Sequence, residues 1–293
     1  MIVLSEAVEQ VPSSASSREN KVMTEAAKIV GCQVYYIPPD FERCVTAENA
    51  LYHIPRFTPE VPGVWIGYIP EVGRYEAIYQ AARNKGIKLL NSPQQHRIGM
   101  EFDLFYPLLG ELTPKSVTIR SIDECATATD LLGFPVFVKG AIQSKKKQGW
   151  QACVANNLEE LVKLTTWLLQ LKYVARGRVI VRKLVNLRHE NKLANGLPIG
   201  REFRVVLYQE EVIKYGYYWD GQDSLDTLSP EEEKEVLDLA VLAAQRLNIP
   251  YVAIDIGQLV TGEWLVIEIS DAQFAGLNNI PKLEFWHHLK ELV

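Results

Sequence analysis

The sequence predicts a mixed α/β and α+β protein, with a parallel α/β unit first and then a larger part built from antiparallel hairpins and helices. Three observations carry this. Between residues 33 and 90, strand-like and helix-like stretches alternate at the spacing of a parallel sheet with crossover helices. From Ser116 the character changes, and two hairpins follow, at 201–219 and 251–269. With 293 residues and 47% hydrophobic content, the chain is long enough for two domains or more. The expected division is 1–112 for the leading unit and 113–293 for the rest, the latter in two lobes of about 113–185 and 186–293, with the linker near 112–115.

In the leading unit, residues 11–17 are rich in Ser and Pro and read as loose. Residues 18–30 carry Val22, Ala26, Ile29 and Val30 on one helical face, and Gly31 can cap it. Residues 33–37 read as a strand stopped by Pro38-Pro39. After Pro62-Gly63 comes a strand at 64–69, then a helix at 74–85 and a short strand at 87–90. Residues 41–60 show no period. The order is Rossmann-like, but there is no GxGxxG, so nothing supports a dinucleotide site. One more helix is expected over 94–109.

In the second part, residues 116–120 read as a strand. Residues 121–132 read as a helix with Ser121 as N-cap and Glu124 in the capping-box position. Residues 136–139 form an apolar strand ending in Lys139. A polar loop at 143–149 holds Lys145, Lys146 and Lys147, and 150–155 read as a strand. Asn157 caps a helix with one apolar stripe, and 178–185 is the next strand. Residues 186–200 are a loop. Ser229-Pro230-Glu231-Glu232 opens a helix with an N-cap, Pro at N1 and acids in the first turn.

The chemistry centres on YVAIDIGQLVTGEWLVIEISDAQ, Tyr251 to Gln273. A turn at Thr261-Gly262 sets Asp255 directly opposite Glu268. Facing residues have Cβ atoms roughly 4.5–5.5 Å apart, so the two acids repel unless a cation lies between them. Ile neighbours on both sides argue for buried strands rather than a solvent-facing side. An all-oxygen pair suits a hard ion such as Mg²⁺, which takes one or two carboxylates plus substrate phosphates; Asp271 could add a third ligand.

Lys139, among Val and Phe, needs either an anionic partner or a route to solvent for its ammonium. The triple lysine is either a solvated charge run or a basic loop that closes over phosphates. Glu202 and Arg204 share a strand face by the two-residue period, and Arg204 serves either a cross-strand ion pair or a phosphate. Lys214 lies on the partner strand in a register the sequence leaves open. Arg182-Lys183 is either an edge-strand guard or faces an anion.

A formal net charge of −5 speaks against a general binder of nucleic acid or membrane surface. No apolar run reaches the length of a membrane span, and the start lacks the features of a secretory signal. Cys32, Cys44, Cys125 and Cys153 have no CxxC spacing, which reads as free thiols in a reducing, cytoplasmic setting. The scattered histidines offer no zinc site.

Taken together, FPVFVKG (134–140), VIVRKLV (179–185), GREFRVV (200–206), AIDIG (253–257) and VIEISDAQ (266–273) resemble the ATP-grasp superfamily over about residues 90–276. The resemblance implies a Rossmann-like pre-ATP-grasp domain followed by a two-lobed ATP-grasp fold, with ATP between the lobes. It implies that Lys139 contacts the α-phosphate and adenine side, that Lys145, Lys146 and Lys147 close over the phosphates, and that the edge from Lys183 through Leu184 to Val185, beside Arg182, meets the adenine. Glu202 and Lys214 would complete the nucleotide's surroundings. Asp255, Glu268 and Asp271 would hold Mg²⁺, and Arg204 would face the transferred phosphoryl group. The implied reaction joins a carboxylate to an amine through an acyl phosphate, with neither substrate legible. A non-catalytic nucleotide-binding protein is the alternative. Three departures stand out: a glycine-poor loop after Lys139, Arg182-Lys183 where an acid is common, and Ser270 where Asn is frequent. A lysine-nucleophile nucleotidyltransferase would want Lys-x-Asp-Gly, whereas Lys139 is followed by Gly140-Ala141-Ile142.

Overall fold

The structure, a computed structural model, describes residues 1–7, 14–39, 44, 46–219 and 223–293. Parts of the stretches read as loose or aperiodic, at 11–17, 41–60 and 221–229, lie outside them. Three four-stranded sheets organise the described residues. The first is parallel, in the order β2-β1-β3-β4, from β1 (Ile2–Ser5), β2 (Gln33–Tyr36), β3 (Val61–Ile66) and β4 (Ile87–Leu89). The expected strand–helix–strand order holds, with helices α1 (Ala15–Ile29), α2 (Ala47–Ala50) and α3 (Val72–Asn84).

Two expectations change here. The opening MIVL, not assigned to any element, supplies β1, and Val3 and Leu4 are fully buried in the sheet. On α1 the inner face is Met23, Ala26 and Ala27, whereas Val22 and Ile29 are exposed. Apolar residues on a helix are not all drawn inside.

The helix expected over 94–109 divides into α4 (Pro93–Met100) and α5 (Phe102–Leu109). The break is at Glu101, whose extended backbone turns a buried carboxylate to within 2.8 Å of Arg178 Nη2.

The second sheet is antiparallel, in the order β5-β8-β6-β7, from β5 (Ser116–Ile119), β6 (Val136–Gly140), β7 (Val154–Ala155) and β8 (Val179–Lys183). Helices α6 (Cys125–Leu132) and α7 (Leu158–Gln170) pack on it, and the short α8 (Lys172–Ala175) leads into β8. The strand expected over 150–155 shrinks to β7, because Trp150–Ala152 forms a 3-10 turn. β8 is an interior strand, so Arg182-Lys183 guards no edge.

The third sheet holds β9 (Glu202–Tyr208), β10 (Glu211–Tyr217), β11 (Tyr251–Gln258) and β12 (Trp264–Asp271), antiparallel in the order β10-β9-β11-β12. Helix α9 (Pro230–Leu247) starts with the expected capping box, Ser229 with Glu232, and lays Val236, Ala240, Ala243 and Leu247 on one face of the sheet. The other face packs on the leading sheet and on α10 (Lys282–Leu292): Val206, Tyr251 and Ala253 share a core with Val3, Val64 and Trp286. This double covering explains why every residue of β11 is buried and why its sequence reads as an apolar run broken by one acid. Helix α10 was left unassigned by the sequence, yet its fully buried Phe285 and Trp286 anchor the end of the chain, each side chain contributing about 1.5–3 kcal/mol of burial.

All four cysteines are free thiols. Among the described residues, no helix is long and apolar enough to cross a membrane.

Candidate functional site

The central hairpin pairs as its turn predicts, from Val252 with Asp271 to Asp255 with Glu268; a bulge after Asp255 then shifts the remaining pairs by one residue. Asp255 and Glu268 therefore face each other across β11 and β12. On the far side of β11, Arg204 of β9 stands opposite Asp255. The Arg204 Nε and Nη2 donate to the two Asp255 oxygens at 2.7 and 2.8 Å, a bidentate pair buried in the sheet. Its Nη1 donates to the Gly276 carbonyl.

Lys139, at the end of β6 in the opposing lobe, donates to Glu268 Oε1. Burial alone would raise the Glu268 carboxyl, but Lys139, Lys146 and Arg204 outweigh it and hold the group down at about 2. Burial alone would likewise lower Arg204, and Asp255 outweighs it, so Arg204 stays above its usual value. Cations thus hold both facing acids ionised in a partly desolvated corner.

This corner opens into a cleft of about 970 Å³. Lys139, Lys145, Lys146, Lys147, Arg204, Glu268 and Ser270 line one end of it, and α1 with the turn after β3 lines the other. A second cavity, of about 150 Å³, lies on the other side of the basic loop. It is walled by Phe137, Leu197, Trp219 and Ile267, by the chain from Lys183 through Leu184 and Val185, and by Glu202. Lys146 borders both spaces. Glu202 accepts a hydrogen bond from Trp219 Nε1 at 3.1 Å; burial pushes its carboxyl up, against the pull of Lys146. Glu202 and Arg204 do share a face, one serving each space.

Three sequence expectations need correction. Asp271 does not join the pair. It lies three residues from Glu268, so the two-residue period of a strand turns it to the opposite face. There it is wholly buried: Asn91 Nδ2 donates at 2.8 Å, Gln273 N–H at 3.0 Å, and His96 Nδ1 lies 2.9 Å away. Gly99 makes room for this, since a Cβ there would meet the Asp271 backbone nitrogen at 3.0 Å. Lys214 does not reach the cleft. A register shift between Val212 and Lys214 sets it opposite Val206, and its ammonium pairs with Glu284 of α10 at 2.6 Å. Arg182 borders the small cavity but spends its guanidinium on the Ile267 carbonyl (2.6 Å) and on Thr113 Oγ1, stapling β8 to β12. Burial lowers it to about 10.

Residues the sequence did not single out are Tyr218 and Trp219, whose rings meet Lys146 at 4.4 and 4.9 Å from their centroids. The only hint was an aromatic doublet at the end of a strand. Tyr75, Asn91, His96 and Gln273, which fasten Asp271, carried no signal in the sequence.

The donor set suits Mg²⁺ in kind: Asp255 and Glu268 are hard oxygen ligands, and Glu268 reaches the cleft. Among the described residues, no group of three or more His, Cys, Asp or Glu gathers into a metal site. Two carboxylates with phosphate oxygens and water are an ordinary Mg²⁺ shell.

A family model of the ATP-grasp domain, family 3 of its clade, matches residues 128–289, more than half of the chain. No curated protein matches the chain. Similar solved structures include a VanG D-Ala:D-Ser ligase from Enterococcus faecalis, with 15% identity, coverage of 99% of this chain and 97% of that one, and a TM-score of 0.64. A D-alanine–D-alanine ligase from Bacillus anthracis, complexed with ATP, has 13% identity, coverage of 92% and 84%, and a TM-score of 0.62. The ATP-grasp ligase PsnB, complexed with minimal precursor, Mg and ADP, has 14% identity, coverage of 99% and 97%, and a TM-score of 0.57. At these identities the likeness is one of fold.

Proposed function

The chain belongs to an ATP-grasp domain family, and from that premise we propose that it is an ATP- and Mg²⁺-dependent ligase joining a carboxylate to an amine through an acyl phosphate. One observation carries the reading. The facing acids Asp255 and Glu268, with Lys139 and Arg204, sit at the corner of a large basic cleft that Lys146 separates from a small apolar cavity.

In this reading the base occupies the small cavity, against the edge from Lys183 to Val185 and the Trp219 ring. The triphosphate runs past Lys146 into the cleft, beneath Lys145 and Lys147. Lys139 turns from Glu268 to a phosphate oxygen. Asp255 and Glu268 would hold Mg²⁺, which supplies charge neutralisation on the phosphates when bound. Arg204 orients the acceptor carboxylate and the transferred phosphoryl group. A carboxylate oxygen attacks the γ-phosphorus, and ADP leaves. The amine nitrogen then attacks the acyl carbon, and phosphate leaves. Both steps depend on positioning and charge neutralisation, for which this cluster of Lys and Arg is suited, and need no covalent protein nucleophile. The division at residue 112 into a leading domain and two lobes, and a cytoplasmic setting for the four free thiols, belong to the same proposal.

The test is ADP release from ATP with pooled carboxylic acids and amines. Wild type forms ADP only when both pools are present, and Lys139→Met lowers the rate by about 100-fold or more, as expected for losing a charge partner of the reacting phosphates. Nucleotide binding with no ADP formed from any pool would leave a binding protein instead.

A further inference from the structure

Lys139 and Lys146 both reach the phosphate end of the cleft, but they are held differently. Lys139 is committed to Glu268. Among the described residues, no carboxylate lies within ion-pair distance of Lys146. Its ammonium rests instead on the rings of Tyr218 and Trp219, 4.4 and 4.9 Å from their centroids. The same Tyr218 ring also receives Arg204, whose guanidinium carbon is 5.0 Å from its centroid. One ring therefore takes a cation from the basic loop of one lobe and a cation from β9 of the other.

The ring itself is well anchored. Tyr218 N–H donates to the Glu202 carbonyl at 2.9 Å, and its own carbonyl accepts from Asn278 Nδ2 at 2.6 Å. The next carbonyl, of Trp219, accepts from Asn279 Nδ2 at 2.6 Å. The two rings stand edge to face at 5.2 Å and 78°. An aromatic face attracts a cation yet forms no ion pair with it. Such a support keeps two mutually repelling cations together without neutralising either.

We propose that Tyr218 is a positioning residue whose ring holds Lys146 beside Arg204, presetting the two cations for the phosphates of the nucleotide. The inference rests on the nucleotide reading of the cleft. Lys146 can pass from ring to phosphate with no ion pair broken, whereas Lys139 must first leave Glu268. Lys146 is thus the loop lysine that engages first, ahead of Lys145 and Lys147.

The experiment uses the full chain and two probes, the non-hydrolysable ATP analogue AMPPNP with Mg²⁺ and plain adenosine. Binding is followed by the fluorescence of Trp150 and Trp219, which line the small cavity. Tyr218→Leu is expected to weaken AMPPNP by about tenfold, equivalent to about 1.4 kcal/mol and of the order of a desolvated cation–π contact. Adenosine, which lacks phosphates, should bind Tyr218→Leu as it binds wild type. Tyr218→Phe keeps the ring and should bind AMPPNP within about threefold of wild type. The proposal is overturned if Tyr218→Leu binds AMPPNP like wild type, if Tyr218→Phe is as weak as Tyr218→Leu, or if adenosine is weakened as much as AMPPNP. Wild type that binds adenosine but gains nothing from the phosphates of AMPPNP would remove the nucleotide reading together with it.

Discussion

Glu268 and Asp271 stand three residues apart on β12, and their surroundings are opposite. Glu268 faces a cleft and is balanced by Lys139, Lys146 and Arg204, side chains that a ligand can redirect. Asp271 faces the leading unit, is wholly buried, and is fastened by Asn91, His96 and Gln273. One acid is arranged to change partners, and the other is arranged to keep them. The fixed acid also serves the exchangeable one. Asp271 holds the 3-10 turn Ala272–Phe274, which leads to Gly276, and the Gly276 carbonyl helps to aim Arg204.

The largest effect expected from this contrast is on stability. Asp271→Ala strips a buried site of its anion and leaves Asn91 and His96 without their partner. Removing one member of a buried charged pair costs about 3–5 kcal/mol, so Tm should fall by on the order of 10 °C in a thermal melt. A fall of under about 2 °C would mean the knot is not structural.

A smaller effect concerns a third acid. Glu6, at the end of β1, meets Arg74 alone where Glu268 meets several cations, and the directions diverge: burial outweighs Arg74 and pushes Glu6 up to about 8. The folded chain then holds that proton more tightly than the unfolded chain, whose carboxyl sits near 4.5. The linked stability is full below about pH 4.5 and is lost as the pH rises through about 8. Glu6→Gln should flatten the decline of Tm between about pH 6 and pH 9; an unchanged slope would show that Arg74 keeps Glu6 ionised throughout.

The smallest effect is at Lys214. Its pair with Glu284 is exposed, and such pairs contribute about 0–1 kcal/mol. Lys214→Ala should leave nucleotide affinity unchanged and move Tm by no more than about 2 °C. A loss of affinity would bring Lys214 back into the site.

Much of this contrast was legible in the sequence, though not all of it was used. The turn at Thr261-Gly262 fixed the register that sets Asp255 against Glu268, and the bulge beyond Asp255 falls too late to disturb it. The parity of a strand already put Asp271 on the wrong face for that pair, three residues being an odd step. What could not be read was the long-range part. Asn91 and Tyr251, bonded to each other, are 160 residues apart, and no local pattern announces such a bond. Lys214 depended on a bulge without a sequence signature. Tyr218 looked like any aromatic in a strand until the basic loop of the opposing lobe was seen to rest on it. β1 escaped because four residues are too few to show a period.

Glu268 is the acid expected to bind through a divalent ion, and the direct measurement is thermal stabilisation by Mg·ATP in wild type and Glu268→Gln. At about 100 times its Kd, a ligand adds about 2.7 kcal/mol, so wild type should gain roughly 5–10 °C with Mg·ATP and markedly less with ATP plus a chelator. Glu268→Gln should lose the Mg²⁺-dependent part of that gain. An equal Mg²⁺-dependent gain in both proteins, or none in wild type, would contradict the assignment.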